Sequence, residues 1–408
     1  MKLHHAHAHL SRRDALKMGA AASAAVAIGG TAAGAEEGEE APSGELSGEL
    51  HAGHYDDTMF DLAAAVAGGY WVSPYGPDDE RGTLNEVTPW RTANALRRMR
   101  RYKGINSYQM GESMFNGFPA FPSDPPRLHD MFMYVLGFDA GQEFVDGGGI
   151  QSATEPLGPN LLVGHEERFA ENFTFQIGSQ VDGLAHVGIG TEDGTDGRFY
   201  NDIYASDILT PTGTTKLGNE TMGPIVTRGV IIDVAGLKQA NGDTDDYFLV
   251  GDQPVLRDNY RITIDDIEKA LRRQKVWKRI GPGDIPILHT GWTHLIGVDD
   301  NRYLAQEPGI YLAEARYFTD RKVAMVATDT WGLEVLDPEV TGGNVFPAHQ
   351  ELLGHTGIRI GESWVTDAAI ADHAYDGVAV VTPENAPGAT AGSSAPAFLG
   401  QKGPKPRY

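Results

Sequence analysis

The 408-residue chain contains no cysteine. Disulfides, thiolate nucleophiles and cysteine-held zinc or iron–sulfur centres are thereby excluded, and any metal has to be held by histidine, carboxylate or amide groups. Several catalytic signatures are missing as well. There is no G-x-S-x-G nucleophile elbow, no H-E-x-x-H zinc helix and no G-x-x-x-x-G-K-[ST] phosphate loop. "GIGTEDG" (188–194) misses the dinucleotide spacing by one residue and reads as a turn. Positive charge is scarce: 33 Lys and Arg stand against 56 Asp and Glu, for a net charge of −23. Such a surface repels phosphate backbones, which argues against a nucleic-acid partner. Long apolar runs are lacking too. The most apolar stretch, an Ala/Gly run near the start, is too short and weak to remain as a membrane span.

What is present begins with "SRRDALKMGAAASAAVAIGGTAAGA", a twin arginine followed by that mild run and by Ala33-Gly34-Ala35. It resembles a twin-arginine export signal cleaved after Ala35, although Ala15 stands where a bulkier apolar residue is usual. Removal of residues 1–35 takes away Lys2, Arg12, Arg13, Lys17 and Asp14 and leaves a net charge of −26. It also removes "HHAHAH", whose histidines are therefore left out of any site. The expected location is the periplasm or the extracellular space. The twin-arginine route carries folded proteins, which suits a protein that takes up a metal before export. Residues 36–55, acidic and nearly devoid of large apolar side chains, have linker composition. Residues 56–408 show no second linker and no repeat, and are read as one catalytic domain.

The legible elements alternate in type. "RGVIIDVAG" (228–236) and "VAMVATDT" (323–330) are short β-branched runs bounded by turn residues, as buried strands are. In "ITIDDIEKALRRQ" the apolar Ile267, Ala270 and Leu271 recur at helical spacing, with Thr263 as the cap and Asp266 three residues on. "GPGDIPILHTG" then supplies a turn and another strand. Strand, helix, strand in this order predicts a mixed α/β protein.

One segment stands apart. In "FTFQIGSQVDGLAH" (173–186), Phe173, Phe175, Ile177 and Val181 fall on odd positions, while Gln176, Gln180, Asp182 and His186 fall on even ones. An extended chain with a side-chain period of two would bury the first set and aim the second at one polar face. That face concentrates amides, a carboxylate and an imidazole, and Gly178 allows something to approach the backbone closely.

This stretch resembles the signature H-x-G-T-H-x-D-x-P-x-H of the cyclase family, which includes kynurenine formamidase and isatin hydrolase. Gly178, Asp182 and His186 match, and Ser179 replaces Thr. Gln176 and Gln180 stand where the family's two metal-binding histidines stand, and Leu184 replaces Pro. The resemblance continues in order along roughly residues 70 to 400. It runs through "GPDDERGTLNEVTPWRTANAL" (76–96), "GDIPILHTGW" (283–292) and "EPGIYLAEARYF" (307–318) to "FPAHQELLGHTGIRIGESW" (346–364), where Glu362 follows His349 by thirteen residues. It implies a kynurenine formamidase-like swivelling β/β/α fold, assembled as a homodimer or larger homo-oligomer. It also implies that Asp182, His349 and Glu362 are metal ligands, that Gln176 and Gln180 inherit the other two ligand positions, and that His186 is the catalytic acid/base. His289, His294 and His355 correspond to no ligand position.

Amide oxygens in place of two imidazoles make an oxygen-rich donor set, which points to one divalent cation, Mn²⁺ in preference to Zn²⁺. The reaction class expected from the resemblance is hydrolysis of a non-peptide C–N bond in a small molecule, an arylformamide or a cyclic amide. Trp292 and Trp331 are candidates to line an aromatic pocket. The family's part in tryptophan breakdown to kynurenine sits awkwardly with export. The competing reading is an exported, metal-free binding protein that keeps the pocket after loss of the two histidines.

Overall fold

The computed structural model describes residues 55–100, 103–136, 159–162, 164–191 and 193–406. The export signal and all of the linker except Tyr55 lie outside the described residues. Among the described residues no helix is long and apolar enough to cross a membrane.

A nine-stranded sheet organises the molecule. Its strands are β1 (Asn106–Gln109), β2 (Gln180–Asp182), β3 (Ile225–Asp233), β4 (Ile285–His289), β5 (Met325–Thr328), β6 (Arg359–Glu362), β7 (Asp376–Val381), β8 (Ala391–Ser393) and β9 (Ala397–Gly400). Their spatial order is β1-β9-β7-β3-β4-β5-β6-β2-β8. The middle four, β3 to β6, run parallel, and the flanking strands pair antiparallel. The mixed α/β expectation holds, and the strands foreseen within 228–236, 281–291 and 323–330 form three of these four parallel strands.

The parallel strands read as continuous apolar runs because both of their faces are covered. Val230, Ile232, Leu288, Val326 and Ile360 point to one side, where they pack with Ile267, Ala270, Phe318 and Leu352. Their alternating neighbours Ile231, Ile287, Met325 and Ala327 point to the other side, toward Val181, Trp364 and Phe398. Helix α1 (Pro89–Arg97) contacts β3, while α2 (Val234–Asn241), α3 (Ile264–Arg273) and α4 (Leu312–Thr319) form the crossovers. The start of α3 is the anticipated capping box: Thr263 accepts from the Asp266 amide and Asp266 accepts from the Thr263 amide.

Two features place the site. The link from β5 to β6 ends in a single turn, α5 (Pro347–His349), which continues into a π-helical segment, Gln350–Thr356. Such turns widen the backbone spiral and cluster at functional sites. The second feature is β2, inserted between β6 and β8, which sets Gln180 directly across from Glu362. The long extended segment expected over 173–186 is not formed. Only Gln180–Asp182 is a strand, and all three of its residues are buried. Beyond Asp182 the chain turns, with the His186 amide bonding back to the Gly183 carbonyl at 3.1 Å. His186 therefore reaches the Asp182 side through a turn and not through strand alternation.

Candidate active site

Asp182 from β2, Glu362 from the carboxyl end of β6 and His349 from α5 converge, each offering one donor atom, with all three atoms within 4.8 Å of one another. His349 Nε2 lies 3.3 Å from Glu362 Oε1 and 3.8 Å from Asp182 Oδ2. Ligand atoms about 2.0–2.2 Å from a common ion stand roughly 3 to 4 Å from each other, so this spacing suits a small divalent cation. The hydrogen bonding agrees. Both carboxylate oxygens of Asp182 and Oε1 of Gln180 are buried without a hydrogen-bond partner. Buried oxygens left so are costly unless something positive meets them. The residues present thus fit a cation: two carboxylates, one imidazole and an amide oxygen.

The Gln180 side chain has a specific posture. Its Nε2 donates to Glu362 Oε2, so Oε1 is the atom left free. The reverse orientation would set the amide oxygen against a carboxylate. His349 is held from behind by Glu334. That fully buried carboxylate accepts from His349 Nδ1 at 2.7 Å and from the backbone amides of Ala348 and His349, each at 2.9 Å. Burial resists charging the His349 ring, but Glu334 and Glu362 outweigh it and lift its pKa to about 10. Burial, helped by Glu362, raises Asp182 to about 6 against the pull of His186, His349 and Arg127.

His186 lies beside this cradle, its Nε2 3.9 Å from Asp182 Oδ2. Burial lowers its pKa, with the Asp182 carboxylate opposing, so the ring is neutral near pH 7. Gln176 contacts the other ring nitrogen. Thr174 donates to Gln176 Oε1 at 2.6 Å, which turns Gln176 Nε2 toward His186 Nδ1 at 3.3 Å. This contact orients the ring so that Nε2 faces Asp182. Of the residues singled out in the sequence, Gln180, Asp182, His349 and Glu362 therefore form one cluster with His186 at its edge. Gln176 is placed against His186.

The cluster lies at the base of a cleft of about 240 Å³ whose walls include Phe121, Arg127, Ile177, Tyr303, Trp331 and Phe346. Rings build one side of it: Phe121 and Trp331 have centroids 5.0 Å apart, and Phe346 meets His349 edge to face at 4.9 Å. Phe346 holds a left-handed backbone, with φ of 51°, and so does Ser363 directly after Glu362, with φ of 54°. Non-glycine residues adopt this conformation at a cost and cluster at functional sites. Trp331 lines the cleft. Trp292 does not: it is fully buried with Val255, Leu295 and Tyr303, and its Nε1 donates to the Tyr303 carbonyl at 2.9 Å. Its role is to back Tyr303. Gly178, with φ of 66°, allows the sulfur of Met114 to approach, so its free side serves packing of the chain.

Residues 107–335 match the family described as "Putative cyclase". The chain belongs to the cyclase family. The match takes in Arg127, Gln176, Gln180, Asp182, His186 and Glu334, and ends before His349 and Glu362. Eighteen solved chains match. A novel cyclase shares 23% identity at a TM-score of 0.62, covering 84% of this chain and 99% of its own. Isatin hydrolase A from Ralstonia solanacearum shares 15% identity at a TM-score of 0.47, covering 76% of this chain and 95% of its own. An isatin hydrolase bound to the product analogue thioisatinate shares 15% at 0.46, covering 77% and 100%. The first of these supports the fold expected from the sequence. No curated protein matches.

Other residues along the cyclase-family cleft and buried behind it carried little signal in the sequence. Glu334 had one available signal, a lone carboxylate between apolar neighbours in "GLEVL" just past a buried strand. Glu307 is fully buried as well. It accepts from the amides of Trp331 and Gly332 at 3.0 and 3.1 Å, and burial together with Glu362 pushes its pKa well above the usual carboxylate range. Arg127 and Phe121 come from an irregular segment that carries no periodic pattern.

Proposed function

We propose that the protein is a metal-dependent hydrolase of non-peptide C–N bonds, acting on an arylformamide or a cyclic amide. The observation that carries this reading is the buried Asp182–His349–Glu362 cradle, with its unpartnered Asp182 oxygens, at the foot of an aromatic cleft and next to His186. Asp182, His349 and Glu362 would hold one divalent cation, with Gln180 Oε1 as a further donor. The oxygen-rich set favours Mn²⁺ over Zn²⁺. When bound, the cation supplies the positive charge that acidifies water and polarises a carbonyl.

The chain's own groups do the rest. Glu334 holds a proton on His349 Nδ1, and Nε2 is the ring nitrogen that would meet the cation. The Gln180 amide fixes the rotamer of Glu362. His186, with a neutral ring beside Asp182, is placed to take a proton from the attacking water and return it to the departing nitrogen, so that the ring ends as it began. Phe121, Trp331 and Phe346 exclude water and stack against a flat substrate.

Export through the twin-arginine route and assembly as a homo-oligomer belong to the same proposal. A second reading has one observation in its favour. The Gln180–Glu362 and Gln176–His186 contacts give the two amides partners without a metal, as a binding protein would need. Elemental analysis of the protein purified in folded form without chelator separates the two readings. About one Mn or Zn per chain, lost together with hydrolysis of formanilides in Glu362→Gln, supports the hydrolase. A chain that takes up neither Mn²⁺ nor Zn²⁺ refutes it.

A further inference from the structure

Arg127 is a cation with little to do inside the protein. Its guanidinium carries five N–H donors. Among the described residues it makes one hydrogen bond, a long one from Nη1 to the Gln176 carbonyl at 3.4 Å, and it enters no ion pair. The contrast with Arg228 is instructive. That buried arginine donates to Asp376, Asp284 and two backbone carbonyls, and its charge is fully met. Arg127 instead lines the cleft, 5.6 Å from the centroid of Phe121. Burial works against its charge, and only the more distant Glu362 and Asp182 support it.

Arg127 is half-buried, so its open donors face the cleft, where a ligand can meet them in place of water. Asp182 and Glu362 do not serve, because no carboxylate of the described residues lies within ion-pair distance of Arg127. Once a divalent cation occupies the cradle, those two acids are matched by it and Arg127 is left with still less. The planar fork suits a carboxylate, which it can hold through two parallel bonds. The neighbouring wall is aromatic, with Phe121 against Trp331. A flat ring carrying a carboxylate would be met by both surfaces at once.

We propose that Arg127 is the anion-binding residue of this cleft, and that the substrate is an aromatic molecule bearing a carboxylate. This names the substrate class for the hydrolase reading above and rests on the same cleft. It also gives Arg127 a specificity role: neutral aromatic amides fill the same walls but leave the guanidinium unmatched.

The test compares benzoate with benzamide, two ligands of nearly the same shape that differ in charge, by titration calorimetry on the protein as purified. The wild type is set beside Arg127→Met and Arg127→Lys. A charge-assisted contact of this kind corresponds to about a tenfold to hundredfold change in affinity. The expected result is that benzoate binding falls by that factor in R127M, that benzamide binding changes by no more than about threefold, and that R127K recovers part of the loss. Benzoate binding left intact in R127M overturns the proposal. So does an equal loss of benzoate and benzamide, which would make Arg127 a wall of the cleft and nothing more. Since no turnover is read, Arg127-dependent benzoate binding in a protein that hydrolyses nothing would refute the hydrolase and leave the anion-binding role of Arg127 standing.

Discussion

Replacement of Glu334 by glutamine tests the cradle without touching any group proposed to meet the cation. Three donors converge on the two oxygens of Glu334: His349 Nδ1 at 2.7 Å and the His349 amide at 2.9 Å on one oxygen, the Ala348 amide at 2.9 Å on the other. Glutamine offers one acceptor and an NH₂ group. In its best orientation the oxygen keeps the two His349 donors, and the Ala348 N–H is set against the new amide nitrogen in a fully buried place. An unsatisfied buried donor costs about 1–3 kcal/mol, so the melting temperature of the chelated protein falls. The larger consequence is electronic. A carboxylate behind a ligating imidazole raises its basicity, and loss of such a partner lowers metal affinity by about 10- to 100-fold, or roughly 1.4–2.8 kcal/mol. Mn²⁺ affinity, measured by competition with a fluorescent chelator, is expected to fall by that factor in E334Q. An affinity within about threefold of the wild type would refute the reasoning, because it would mean that His349 Nε2 is not a donor to the cation.

Other consequences can be checked alongside. His186→Ala should retain the metal and lose most turnover, and loss of the metal in that variant would make His186 a ligand instead. Glu362→Gln should lower metal content, since it removes a charged donor and also sets two amides against each other at Gln180. His289 offers a prediction away from the cradle. Burial resists its charging, but Asp329, 3.1 Å away, outweighs this and lifts its pKa to about 9 from an ordinary 6.5. A raised folded-state pKa adds stability that is fully present below pH 6.5 and disappears as pH rises through 9, at most about 3 kcal/mol for a shift of this size. Stability of the wild type should therefore fall from pH 6.5 to 9.5 more steeply than that of H289Q, as read by urea denaturation, and parallel slopes would exclude the charged His289–Asp329 pair.

How much of this was legible in the sequence depends on what each element repeats. The parallel centre was legible because Val230, Ile231 and Ile232 are all apolar: a strand covered on both faces has no polar alternate. The α3 cap was legible because Thr263 and Asp266 are a local pair whose geometry is set by one helical turn. The segment over 173–186 misled because alternation of residue type is necessary for a strand but does not make one. There Val181 is buried by the pairing of the short β2 with β6, while Ile177 lies in irregular backbone next to Gly178 and Met114, an arrangement that sequence spacing does not encode. Arg127 and Phe121 were invisible for the same reason, since a loop side chain is aimed by tertiary packing. Trp292 and Trp331 look alike in the sequence and both donate to the Tyr303 carbonyl, yet only one of them faces the cleft.

The two glutamines are best understood through their neighbours. An imidazole at position 180 would bring one acceptor or one donor to a place where Glu362 needs a donor and a cation needs an acceptor at once. A glutamine supplies both from a single side chain: Nε2 to Glu362, Oε1 left free. At position 176 the amide does something different. It is oriented by Thr174 and contacts His186 Nδ1, which sets how the ring is turned toward Asp182. On the proposed reading, the glutamines offer the cation one weak donor and one orienting contact in place of two imidazoles. That exchange lowers the affinity for a borderline metal such as zinc more than for a harder one, and it leaves the geometry of Asp182, His349 and Glu362 intact. A site emptied by drift would have no reason to keep Asp182, whose two buried oxygens have no hydrogen-bond partner, close to the buried Glu362, because such a pair of acids without a cation adds desolvation cost.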